Sequence, residues 1–250
     1  MSKELKISFN NEKEGLINEE VISKLFNNPP KIVGVKEGLC SIVKNPLDSS
    51  HKFLQIKYPK GIIQEEKTRW RLIFDKPYES ATVTYKVMFP VGFDFVKGGK
   101  LPGFFGGTSP RGGMKTNLGD GFSARIMWRE NGEIFQYMYW MEKSEDKKWG
   151  DDLPWIDIDG NNKPFRFIPG QWHTLTTRIV MNTPGENDGN VTSYFDGKLA
   201  LTTNGIFRAK GMNFGIDSFM FTTFFGGNDL TWAPKKDEVA YFGDIEIELD

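Results

Sequence analysis

The segment Phe122-Ser123-Ala124-Arg125-Ile126-Met127-Trp128-Arg129, Glu130-Asn131-Gly132, Glu133-Ile134-Phe135-Gln136-Tyr137-Met138-Tyr139-Trp140 runs through two alternating stretches on either side of an Asn-Gly turn. Period-two alternation broken by Asn-Gly is the pattern of a β-hairpin. Two registers are open. A two-residue turn pairs Arg125 with Met138 and leaves Tyr137 and Tyr139 on the face opposite Arg125. A three-residue loop, with Gly132 in the left-handed conformation as a bulge, pairs Arg125 with Tyr137 and Ser123 with Tyr139. The second register is favoured. It brings Ser123, Arg125, Tyr137 and Tyr139 onto one face, with opposed Cβ atoms about 5 Å apart and same-face neighbours along a strand about 7 Å apart. Ala124, Ile126, Trp128, Met138 and Trp140 then turn the other way, an apolar set fit for a core. The polar face is therefore the concave one.

The same alternation recurs at 53–58, 69–75, 81–89, 172–181, 191–195, 219–225 and 240–248. Turn signals separate these runs: Lys76-Pro77, Asp159-Gly160-Asn161-Asn162, Pro169-Gly170, Asp196-Gly197 and Asn204-Gly205. Short strands at this spacing predict an all-β sandwich of two antiparallel sheets. Asn18 to Phe26 departs from the pattern, placing Val21, Ile22, Leu25 and Phe26 at helical spacing between an Asn cap and Pro29-Pro30, which predicts one short peripheral helix. No repeat or Pro-rich linker interrupts the 250 residues, so a single domain over 1–250 is expected, with 1–50 as an N-terminal strand and helix cover on a 52–250 core.

Thirty-two Lys and Arg against 33 Asp and Glu give a net charge of −1, which removes the global attraction that nucleic-acid binding exploits. One cysteine, Cys40, excludes an intrachain disulfide, and with only His51 and His173 no zinc-type cluster can be assembled, so no metal or other cofactor is expected. No run approaches the roughly 20 apolar residues that span a bilayer, and Met1 to Glu12 lacks the apolar core of a signal peptide. No membrane partner is expected; the compartment and the oligomeric state stay open. Charge is nevertheless uneven. Lys97, Lys100, Arg111, Lys115, Arg125 and Arg129 face only Asp120 between 97 and 129, whereas seven carboxylates face three lysines between 142 and 159. Basic strands lining a concave face would attract an acidic polymer while the molecule stayed neutral overall.

Upstream of the hairpin lies Gly98-Gly99-Lys100-Leu101-Pro102-Gly103-Phe104-Phe105-Gly106-Gly107. Its glycines suggest a backbone that a ligand can approach closely around Lys100, with Gly98 and Gly99 as candidate substrate contacts. A phosphate loop is excluded, because Lys100 is followed by Leu and Pro rather than by Ser or Thr opening a helix.

This segment, the Ser-x-Arg and Tyr-x-Tyr strands, Pro169-Gly170-Gln171-Trp172-His173-Thr174, Tyr194-Phe195-Asp196-Gly197 and Thr222-Thr223-Phe224-Phe225-Gly226-Gly227-Asn228-Asp229-Leu230-Thr231-Trp232-Ala233-Pro234 together resemble polysaccharide lyase family 14. That family holds alginate and glucuronan lyases of chlorella viruses, molluscs and bacteria, and the fungal glucuronan lyases of family 20 are similar. The resemblance covers roughly Lys52 to Asp250. It implies a β-jelly roll with a cleft on the concave face, acting on extracellular or cell-wall polysaccharide, and it implies that Lys100 matches the catalytic lysine, Ser123 and Arg125 the Ser-x-Arg pair, and Tyr137 and Tyr139 the paired tyrosines. Phe104-Phe105 stands where members often read Leu-Tyr, a departure in the cleft beside Lys100.

The chemistry implied is β-elimination from a β-1,4-linked polyuronate, glucuronan or alginate. A cation, Lys100 or Arg125, neutralises the uronate carboxylate so that the weakly acidic C5 proton can leave. A base takes that proton and an acid protonates the departing O4. Tyr137 and Tyr139 are assigned jointly to those two roles, on the expectation that neighbouring cations lower their pKa from about 10. Ser123 is a candidate hydrogen-bond donor to the sugar. His51 and His173 complete the substrate-binding candidates, with core or sheet edge as the other reading of His173. Two rivals stand beside the lyase: a non-catalytic module that binds acidic polysaccharide, and a retaining glycosidase. The glycosidase would need paired carboxylates from Asp157 and Asp159 or from Asp244, Glu246 and Glu248, and neither set shows the Glu-x-Asp-x-Glu order of the laminarinase-like hydrolases.

Overall fold

A computed structural model describes residues 2–44, 51–63, 68–143, 146–158, 160 and 162–250. The alternating segments form strands that assemble into two large antiparallel sheets, the jelly-roll sandwich. The outer sheet runs, edge to edge, through Lys198–Gly205, Gly189–Phe195, Trp172–Val180, Ser80–Met88, Glu238–Leu249, Lys52–Tyr58, Cys40–Lys44 and Gly15–Leu16, with Lys3–Ile7 also paired to Glu238–Leu249. The inner, concave sheet runs through Asp151–Pro154, Ile134–Tyr139, Gly121–Arg129, Gly98–Gly107, Ile216–Thr222 and Arg69–Tyr78, and Phe224–Phe225 extends the pairing of Gly98–Gly107. The chain crosses between the sheets several times, as where Arg69–Tyr78 of the inner sheet leads into Ser80–Met88 of the outer.

The core forms where the inward residues of both sheets meet. Trp128 is fully buried, with Tyr58, Phe89, Phe93 and Phe225 packed edge-on around it at centroid distances of 6.1, 5.4, 6.2 and 5.3 Å. Its indole N–H donates to the Phe95 carbonyl at 3.2 Å. Each such ring contributes about 1.5–3 kcal/mol through burial, and aromatic pairs add about 0.5–1.5 kcal/mol. The helix Glu19–Leu25 starts where the sequence predicts, with the Val21 N–H donating to the Asn18 side chain at 3.2 Å. Its buried Ile22 and the following Phe26 join the core, Phe26 packing on Trp70 at 5.5 Å and Phe221 at 6.1 Å. Within residues 2–44, three segments are strands of the outer sheet.

The hairpin takes the bulged register: Ser123 opposes Tyr139 and Arg125 opposes Tyr137. Asn131 and Gly132 both adopt left-handed backbone, φ 56° and 75°, which asparagine tolerates better than most side chains. The Gly98–Gly107 segment differs from its sequence reading. It is a central strand of the concave sheet, paired with Gly121–Arg129 on one side and with Ile216–Thr222 and Phe224–Phe225 on the other. Glycines weaken a strand in isolation, but here their missing side chains admit protein. A Cβ on Gly99 would lie 2.0 Å from Trp128 Cζ2, and one on Gly103 2.0 Å from the Ala124 carbonyl oxygen.

Candidate active site

Directly opposed residues of an antiparallel pair share a face, so the register orders the concave face into rows. One row reads Phe135, Met127, Lys100, Phe224; the next reads Asp152, Tyr137, Arg125, Gly103, Met220; a third reads Tyr139, Ser123, Phe105, Ser218. Lys100 joins this face because the ladder slips between Leu101 and Gly103, which lets both Lys100 and Gly103 oppose cleft-facing residues of Gly121–Arg129.

Lys100, Arg125, Met127, Arg129, Tyr137 and Asp152 line a cleft of about 350 Å³, walled by Gly112, by Trp149-Gly150, and by Phe224, Gly226 to Asn228 and Trp232. The Lys100 ammonium sits 3.4 Å from the centre of the Tyr137 ring and hydrogen-bonds the Met127 sulfur. The Arg125 guanidinium lies 5.7 Å from the same ring. Both cations are nearly buried, 9% and 2% exposed, so their field at the cleft is weakly screened. From behind, the Gln136 amide donates to the Arg125 carbonyl at 3.0 Å, while its oxygen accepts from Ser193 and Thr177 of the outer sheet at 3.0 and 3.3 Å. This fully buried bridge fixes Arg125 from the far side of the core.

Tyr137 accepts from the Gly150 N–H at 3.1 Å and its hydroxyl lies 3.5 Å from that of Tyr139. Burial, then the neighbouring Tyr139, push the Tyr137 pKa above the ordinary tyrosine value, and the opposing pull of Arg125 is smaller. For Tyr137 the expectation of a lowered value is therefore corrected. Desolvation of the phenolate in a nearly closed site outweighs one cation at this range.

The remaining candidates separate from this cluster. Ser123 is fully buried and its hydroxyl donates to the Pro110 carbonyl at 2.7 Å; Tyr139 is likewise enclosed and accepts from the Gly113 N–H at 2.9 Å. Both anchor the loop that walls the cleft, and neither lines the space beside Lys100. Gly98 and Gly99 are buried against protein: a Cβ on Gly98, at φ +139°, would meet the Trp128 carbonyl at 2.5 Å. His173 belongs to the core of the other sheet. Its Nδ1 lies 2.8 Å from the Asp196 carboxylate, its Nε2 accepts from the Ile168 N–H at 3.0 Å, and its ring stacks on Phe195. His51 is exposed at a separate depression of about 580 Å³ on the outer sheet, with Phe53, Trp172, Asp244 and Glu246. Gly98, Gly99, His51 and His173 are thus not brought to the cleft. The carboxylates of the glycosidase reading are not there either: Glu246 pairs with Lys6 at 2.7 Å, Asp157 lies 3.9 Å from Lys198, and Asp159 lies outside the described residues.

Sequence reasoning passed over Met127, Trp149, Asp152 and Trp232. Met127 and Arg129 were available from period two on the Arg125 strand. Asp152 is tied to Arg129, whose guanidinium also covers the Trp232 ring at 5.4 Å, and no local pattern announces that contact.

The sequence profile described as Polysaccharide lyase 14 matches residues 46–245. No protein of curated function matches the chain. Among solved structures, the chain is similar in fold to the alginate lyase Aly36B (22% identity over 98% of this chain and 96% of the other, TM-score 0.81). It is also similar to the marine alginate lyase of Aplysia kurodai (24%, 99% and 98%, 0.77) and to the endo-β-1,4-glucuronan lyase of Trichoderma reesei (11%, 90% and 92%, 0.58). A variant of Aly36B has been solved with an alginate trisaccharide (19%, 98% and 97%, 0.82). With four-fifths of its length matched by that profile, and with a polar cleft on the concave face of a jelly roll, the chain belongs to polysaccharide lyase family 14.

Proposed function

We propose that this polysaccharide lyase cleaves a β-1,4-linked polyuronate, alginate or glucuronan, by β-elimination in the cleft of Lys100, Arg125 and Tyr137. The observation that carries the reading is the convergence of two nearly buried cations on the ring of one phenol. Two of the similar structures, an alginate lyase variant with bound alginate trisaccharide and a glucuronan lyase, support the substrate class.

The roles divide by what each group can do with a proton. Arg125 keeps its charge under all working conditions and neutralises the uronate carboxylate. Tyr137, which burial keeps protonated, is the acid that donates to O4 as the C4–O4 bond breaks. Once Lys100 has given up its own proton to solvent, its neutral amine takes the C5 proton, and the C5–H electron pair becomes the C4=C5 double bond. Tyr139 and Ser123 are positioning residues, holding Tyr137 and the 108–113 wall. This refines the joint assignment of both tyrosines, since a phenol that holds its proton this firmly is a poor base.

Incubation with alginate and with polyglucuronate, followed by near-ultraviolet absorbance and by reducing-end assay, tests the reading. Elimination produces the absorbance of a conjugated double bond together with new ends. Reducing ends without absorbance would mean hydrolysis, and neither signal would mean binding alone; each would refute the proposal.

A further inference from the structure

Arg125, Met127 and Arg129 alternate onto one face of the strand Gly121–Arg129, and all three line the cleft. Arg129 therefore lies four residues, about 14 Å, along the strand from Arg125, farther than one sugar ring reaches. At that end the cleft has a neighbour. Arg129 and Trp232, which line the cleft, also line a depression of about 390 Å³ that extends to Lys97, Glu130 and Glu133. These two side chains form the rim common to both spaces.

Glycine backbone shapes that rim. A Cβ on Gly227 would lie 2.1 Å from Trp232 Cδ2, and one on Gly98 would meet Arg129 Cδ at 3.3 Å and Trp232 Cζ3 at 3.4 Å. The indole can thus rest on bare backbone, with the Arg129 guanidinium 5.4 Å from its centre. Both side chains remain partly exposed. Asp152 engages only Nη2 of Arg129, so Nε and Nη1 carry no hydrogen bond among the described residues. Lys97 is exposed and gives one of its three donors to the Thr231 hydroxyl at 2.6 Å. Of the two acids in the depression, Glu133 is paired with Arg166 at 2.6 Å. An indole buries the C–H face of a pyranose, and a guanidinium with donors to spare matches a carboxylate.

We propose that Arg129 and Trp232 form an accessory subsite for a further uronate of the chain whose cleaved residue lies at Arg125 and Tyr137. The indole packs against the sugar ring, the guanidinium binds its carboxylate, and Asp152 is the positioning residue that holds the guanidinium from the other side. The subsite rests on the lyase reading above. It favours long substrates, since only a chain that reaches the rim gains the second charge-assisted contact.

The test compares wild type with Trp232→Ala, Trp232→Phe, Arg129→Gln and the double variant Arg129→Gln with Asp152→Asn. Each is measured by kcat/KM on a long polyuronate and on the shortest oligomer that wild type cleaves, by polymer binding, and by a thermal melt. Loss of the charged contact should lower kcat/KM on the polymer about ten- to hundredfold relative to that on the oligomer, mainly through KM. Trp232→Ala should cost about tenfold in the same ratio, and Trp232→Phe less. The double variant removes the carboxylate that Arg129→Gln leaves bare in the cleft. A loss that persists in it marks direct contact with substrate; a return to wild-type kinetics would reduce Arg129 to neutralising Asp152 and overturn the subsite. Equal losses on the two substrates, or losses confined to kcat, would also overturn it. Should Trp232→Ala fail to fold, Trp232→Phe and the arginine variants decide. Absence of unsaturated product from wild type on any polyuronate would instead overturn the lyase reading beneath it, and polymer binding by the same variants still reads the rim in that case.

Discussion

Tyr137 carries the sharpest consequence at the scale of single residues. Because burial holds its phenol protonated beyond the ordinary tyrosine range, its acid function survives into alkaline solution. The pH profile of kcat/KM should therefore show no alkaline fall through the ordinary tyrosine range of about 10, because Tyr137 keeps its proton there. Tyr137→Phe should cost about a hundred- to ten-thousandfold in kcat with the fold intact. A wild-type profile that falls below about pH 9, or a phenylalanine variant that keeps its rate, would remove Tyr137 from the acid role. Arg125, Tyr137 and Lys100 were legible in sequence, two of them from strand alternation and one from its glycine-flanked setting. The burial of Ser123 and Tyr139 was not, because the 108–113 loop that covers them arrives from a turn with no pattern linking it to the hairpin.

Elements explain why that cluster holds its shape. The hairpin register followed from turn chemistry, since a three-residue loop with left-handed Asn131 and Gly132 fixes which side chains share a face. Gly98–Gly107 resisted the same reasoning. Glycine and proline signal loops, yet here they mark a strand whose neighbours need the space. Gly99→Ala should thus be destabilising, because its Cβ would lie 2.0 Å from Trp128 Cζ2 and 2.5 Å from the Phe224 carbonyl, and both belong to packed structure. A loss of about 1–3 kcal/mol in denaturant unfolding is expected. An unchanged midpoint would mean that the strand is looser than its pairing implies.

At the scale of the whole molecule, near neutrality conceals a division of charge. Lys100, Arg125 and Arg129 line the cleft and Lys97 its neighbour, whereas the acidic stretch after Glu142 is partly spent internally, Asp151 on Trp140 and Lys147, Asp152 on Arg129. The sandwich itself was legible from alternation and turn spacing, because a half-buried strand must alternate whatever its function. His173 lies in the core, which was one of its two readings, and His51 lies on the outer sheet away from the cleft; residue type alone does not say which of two sheets, or which face, a side chain joins. The most direct measurement of the mechanism is the rate of near-ultraviolet absorbance on polyuronate by Lys100→Arg, beside binding of the same polymer and a thermal melt. Arginine keeps the positive charge but cannot take up a proton. With Lys100 as base, turnover should fall at least about a hundredfold while binding and melting temperature hold; turnover within about tenfold of wild type would contradict that role and leave Lys100 a neutralising charge only.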